Sequence, residues 1–192
     1  MRSAAIALML CAVACSGGGG DPAPPASSLP TVKTLSVASA YTGMTYPITV
    51  YLPGGYTTST DAKAVIYAVD DELEGAVIEQ ARLVQNIDAI VVSIGDLGSD
   101  RRFIDFELPG ASAYFKFLTL ELVPQIESQY RVDKTRRALI GYSLSGLAAV
   151  VALLEDNPSA RYFSGYVIVD PSLQFNTQGS LRHGAGVVGH DA

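Results

Sequence analysis

From about Leu35 onward the chain alternates between apolar segments of strand length and segments with helical spacing. Tyr46, Ile48, Val50 and Leu52 share one face of a predicted strand, with Thr49 and Tyr51 on the other, and Pro53-Gly54-Gly55 ends it. Lys63 to Val69 is a second strand, apolar on both faces (Ala64, Val65, Ile66, Tyr67), as expected when both faces are covered. The acidic run Asp70-Asp71-Glu72 follows at once, then a predicted helix over 75–84 with Val77, Ala81 and Val84 on one side. Ala89 to Ile94 is a third, fully apolar strand. A polar loop is expected over 95–110, carrying Arg101-Arg102; loops that long in compact domains are often functional. Phe115, Leu118, Leu122, Ile126 and Tyr130 recur at helical spacing over 112–130, with a kink expected at Pro124. Strands at 136–140 and 165–169 flank a helix over 143–155. Alternating strands and helices give an α/β fold with a mostly parallel sheet covered on both faces.

The densest chemical signal lies between the fourth strand and the helix that follows it. Gly141-Tyr142-Ser143-Leu144-Ser145-Gly146 reads as strand, sharp turn, helix, with Ser143 at the turn. A serine so placed is lifted clear of the sheet, and the helix start points amide donors toward it. The pattern is that of a nucleophile elbow, Gly-x-Ser-x-Gly, except that Ser145 holds the fifth position. The plainer alternative is a helix cap, but a cap does not call for glycines on both sides after a buried strand. Ser145 reads as a packing residue, and the amide of Leu144 as an oxyanion donor. The second donor should follow an earlier strand, which points to Asp71; an acidic surface turn is the competing reading of that segment, since three carboxylates disfavour a developing negative charge.

Composition narrows the classes. At 192 residues there is room for one domain with a substantial core. A formal charge of −6 makes nucleic acid an improbable partner. The mean hydropathy of +0.26 is inflated by the first residues. Arg2 followed by the short apolar stretch Ala4 to Ala14 reads as a signal peptide (1–14), too short to span a bilayer as a helix. Ala12-Val13-Ala14-Cys15 then fits either ordinary cleavage or a lipobox, and a Gly-, Pro- and Ser-rich linker to residue 33 suits a tether behind a lipidated Cys15. Once the signal is removed Cys15 is the single thiol, which lipidation explains. The expected location is therefore exported and membrane-anchored, in the outer membrane or facing the periplasm. Arg101 and Arg102 are candidates for binding a substrate anion, against the simpler reading of a solvated pair neutralised by Asp100 and Asp105. No group of residues has metal-ligand spacing, and no cofactor is implied.

The segments Tyr46 to Tyr56, Ala64 to Asp70, Arg101-Arg102, Glu121 to Arg131, Arg137 to Leu147 and Asp170 to Leu173 come in one order. In that order they resemble the enterochelin-esterase-like branch of the α/β-hydrolases. The resemblance implies ester hydrolysis with Ser143 as nucleophile and the amides of Leu144 and Asp71 as oxyanion hole, although the family's usual glycine at position 71 is absent. It implies a small-molecule ester substrate, siderophore esters included. Family members continue through two more strands and helices that carry the acid and histidine of the triad. The tail 176–192 has no apolar period, and a single crossover needs ~12 residues or more. The domain, 34–175, therefore reads as shortened at its C-terminus, with 176–192 as a disordered tail. Asp170, ending the last strand, is the candidate acid, although the family usually has a small polar residue there. His190, beside Asp191, is the candidate base, and His183 the only other histidine. If the tail is disordered, neither histidine reaches the elbow. Two alternatives follow: a catalytically inactive truncated lipoprotein of the same fold, and an acyltransferase.

Overall fold

A computed structural model describes residues 31–70 and 74–173. Six strands form one sheet: β1 (Thr31–Ala38), β2 (Thr45–Leu52), β3 (Lys63–Val69), β4 (Ala89–Ile94), β5 (Val132–Tyr142) and β6 (Gly165–Val169), in the order β1-β2-β4-β3-β5-β6. β3 to β6 run parallel; β1 pairs antiparallel with β2, and β2 antiparallel with β4. The expected α/β architecture is therefore present, with a mixed edge. The helices are α1 (Glu74–Val84), α2 (Ser99–Phe106), α3 (Gly110–Lys116), α4 (Val123–Gln129) and α5 (Ser143–Glu155). α1 packs on β3 and β4, whereas α2, α3 and α5 pack together, with α5 against β5 and β6. Right-handed crossovers require this division, because the chain moves one way along the sheet from β3 to β4 and the other way from β4 to β5 and β6.

Four details depart from the sequence expectation. β1 starts at Thr31, inside the segment read as linker; its polar Lys33, Thr34 and Ser36 give it little apolar signal, and as an edge strand it needs little. The supposed loop over 95–110 contains α2, which ion pairs hold in place and no apolar stripe announces. α1 forms as expected but turns the other face inward. Val77 and Val84 are exposed, and the buried positions hold the ion pair of Glu79 with Arg82, whose Nη1 also donates to the carbonyl of Ile87. The long helix forms, but its expected kink takes the shape of a π-helical segment, Phe117–Leu122, immediately before Pro124. A wider turn accommodates a ring that would strike the carbonyl four residues back in a regular helix.

The core surrounds β4, buried along its whole length, and extends over the face of β3 and β5 that carries Val65, Tyr67, Val69 and Leu139, whereas Ile66, Ala138 and Ile140 on the other face are half-buried. Tyr46 stacks on Phe117 and meets Tyr114 edge-on, joining β2 to the long helix. Tyr67 meets Phe163 edge-on, tying the sheet centre to the approach of β6. Among the described residues β6 pairs with β5 alone, and Val167 and Val169 are about half exposed.

Candidate active site

The connections from β3 and from β5 leave in opposite directions along the sheet. The crevice beyond the carboxyl ends of these two neighbouring strands is therefore a topological switch point, where open α/β sheets bind ligands. Ser143 follows β5 directly, and Asp70 follows β3 directly.

Ser143 has a φ of 55°, a left-handed conformation that non-glycine residues adopt only when their surroundings impose it. Two glycines let this happen. A Cβ on Gly141 would lie 2.3 Å from the carbonyl oxygen of Ser145, inside the first turn of α5. A Cβ on Gly146 would lie 3.1 Å from both the Pro171 Cα and the Val169 carbonyl oxygen. The hydroxyl of Ser145, fully buried, accepts from the Tyr142 N–H at 3.0 Å and donates to the Tyr142 carbonyl at 2.8 Å. The serine at the fifth elbow position is thus more than a tolerated small residue: it pins the backbone on the strand side of the turn. Leu144 occupies the first turn of α5, where backbone N–H groups lack intrahelical acceptors. Ser143 itself is half-buried, and its Oγ lies 3.1 Å from the Oγ of Ser172.

Asp70 also has a positive φ, 81°, and its N–H donates to the Ile94 carbonyl at 3.0 Å. Its buried carboxylate accepts from Arg102, which also approaches Asp96 at 3.5 Å. Burial pushes the Asp70 carboxyl up to about 6, although the Arg102 guanidinium pulls in the opposite direction. Arg101 goes elsewhere: it pairs with buried Asp105 at 2.5 Å and donates to the Thr42 carbonyl at 3.2 Å. Asp105 also accepts from the Tyr46 hydroxyl at 2.8 Å. Asp105 thus neutralises Arg101, as the simpler reading of the pair had it, whereas the partners of Arg102 are Asp70 and Asp96. Arg101 is a half-buried strut between α2 and the β1–β2 turn. Arg102 is the one at the switch point, with two carboxylates on it.

Of the sequence candidates, the fold brings Ser143, Leu144 and Arg102 to the same edge of the sheet. Asp170 ends β6 on that edge, exposed and with a φ of 43°. Asp71, Cys15, His183 and His190 lie outside the described residues, as do the signal, the linker up to residue 30 and the tail. Asp96 and Ser172 were not singled out from the sequence; Ser172 stands within the Asp170 to Leu173 segment, but nothing in spacing alone ties it to a turn 29 residues earlier. No metal-binding cluster occurs among the described residues. A cavity of about 400 Å³ lined by Val123, Glu127, Lys134, Arg137 and Tyr162 opens near the start of β5, at the other end of that strand from Ser143.

Known proteins agree with this architecture. The chain is 28% identical over 188 residues to the ferri-bacillibactin esterase BesA of Bacillus subtilis (strain 168), covering 79% of this chain and 62% of that protein. Among solved structures it superposes on an IroE-like serine hydrolase from Shewanella oneidensis with a TM-score of 0.67 and 28% identity, covering 79% of this chain and 54% of that one. It superposes on the siderophore hydrolase EstB from Aspergillus nidulans with a TM-score of 0.60 and 25% identity, covering 80% and 60%. The chain thus spans between about half and two thirds of the length of these relatives. Residues 39–181 match the esterase family described as "Putative esterase", and the chain belongs to that family, the enterochelin-esterase-like branch of the α/β-hydrolases.

Proposed function

We propose that this protein is a serine hydrolase of carboxylic esters with Ser143 as its nucleophile. The observation that carries the reading is the left-handed Ser143 between β5 and α5, in a turn that only Gly141 and Gly146 permit. Such strain persists where the surroundings over-determine it, and a hydroxyl presented at the turn for reaction is a reason to keep it. In the first step Ser143 Oγ bonds to the ester carbonyl carbon, and its proton passes to a histidine. The carbonyl oxygen becomes an oxyanion facing the Leu144 N–H, with the Asp71 N–H as second donor. Collapse expels the alcohol, which takes the proton from the histidine. Water then repeats the sequence on the acyl-enzyme and releases the acid. The base is a histidine from outside the described residues, His190 being the candidate within this chain, and Asp170 the candidate acid.

The substrate class we propose is a siderophore ester, supported by the likeness to the ferri-bacillibactin esterase BesA and the siderophore hydrolase EstB. We also propose that the chain is exported and anchored through a lipid on Cys15; radioactive fatty acid should label the wild type and not Cys15→Ala, and an unlabelled wild type rejects the anchor. The hydrolase reading is tested by turnover of a p-nitrophenyl ester. Ser143→Ala should lose several orders of magnitude in kcat, as loss of a triad nucleophile does. Equal turnover by the two proteins rejects Ser143.

A further inference from the structure

Ser172 is held against the elbow by more than its hydroxyl. Its N–H donates to the Ser143 carbonyl at 2.9 Å, and the residue as a whole is 7% exposed. The absent Cβ of Gly146 is what lets Pro171 and Val169 come this close to α5. Backbone and side chain of Ser172 therefore reach the same residue, Ser143, across a gap of 29 positions in the chain. A serine hydroxyl has one proton and two lone pairs. If Ser172 donates to Ser143 Oγ, one lone pair is occupied, the χ1 rotamer is fixed, and the Ser143 proton is left for a base.

We infer that Ser172 is a positioning residue for Ser143, donating a hydrogen bond that fixes the direction in which the nucleophile presents its proton and its remaining lone pair. The inference rests on the proposed role of Ser143. The contacts of Ser172 at the elbow go to Ser143, so its effect passes through the nucleophile. Its loss should therefore lower kcat with little change in KM, since a misdirected nucleophile slows acylation without altering how the ester is held. One hydrogen bond of ordinary strength corresponds to a decrease of roughly 3- to 10-fold.

The experiment measures kcat and KM for a p-nitrophenyl ester, per mole of folded protein, in wild type, Ser172→Ala, Ser172→Cys and Ser172→Thr. The expected result is a 3- to 10-fold fall in kcat for the alanine and cysteine variants, unchanged KM, and kcat within about twofold of wild type for threonine, which keeps the hydroxyl. Cysteine nearly preserves the shape, so it serves if the alanine variant does not fold. Wild-type kcat in the cysteine variant overturns the inference while leaving Ser143 as nucleophile. A threonine variant as slow as alanine also overturns it, because the hydroxyl would then not be the cause. A wild type with no Ser143-dependent turnover overturns this inference together with the reading it rests on.

Discussion

Asp70 is the residue whose environment makes the sharpest prediction. Burial outweighs the attraction of Arg102 and pushes its carboxyl up to about 6, from an ordinary 3.8. The folded state therefore binds this proton more tightly than the unfolded state. Its contribution to stability is fully present below about pH 4 and is lost as pH rises through 6. A carboxyl resonance with a midpoint near 6 should appear in a carbon-detected titration and vanish in Asp70→Asn, and the melting temperature of wild type relative to that variant should fall between pH 4 and 6. A midpoint near 4 would contradict the burial account. Ser145 offers a second test. Ser145→Ala removes both bonds to the Tyr142 backbone, leaving a half-buried N–H and carbonyl without that partner. A loss of about 1–3 kcal/mol is expected in denaturant unfolding.

At the level of elements, the elbow depends on space as much as on chemistry. Gly141→Ala forces a methyl against the Ser145 carbonyl and should destabilise by about 1–3 kcal/mol. Gly165→Ala, at the start of β6 with nothing within 4 Å of its Cβ position, should be close to neutral. Urea unfolding of the two variants separates them, and similar losses in both would refute the packing argument. The same elements show what was legible in the chain. β3, β4, β6 and α5 could be read because continuous apolar runs bounded by Gly, Pro or Asp have few other uses, and Ser143 could be read because its glycines flank it locally. β1 and α2 were obscured because ion pairs and strand pairing, not apolar periodicity, hold them. The inward face of α1 was misread because a Glu79–Arg82 pair occupies positions that pattern reasoning gives to apolar residues. The Asp70–Arg102–Asp96 cluster and the Ser143–Ser172 contact join segments far apart in sequence, and no local spacing encodes them.

For the whole molecule, the sheet is protected unevenly. β1 closes one side with polar residues, whereas β6 presents Val167 and Val169 half exposed, and among the described residues no strand pairs with its outer edge. The switch point between β3 and β5 gathers the elbow, buried Asp70 with its partner Arg102, and the Leu144 amide at one edge of the sheet, and everything proposed about activity depends on the reactivity of a single hydroxyl there. The most direct measurement is to treat the pure protein with a fluorophosphonate and map the adduct by peptide mass spectrometry. The account predicts one adduct, on Ser143, absent from Ser143→Ala. An adduct on Ser145 or Ser172, or an unmodified protein, would contradict it.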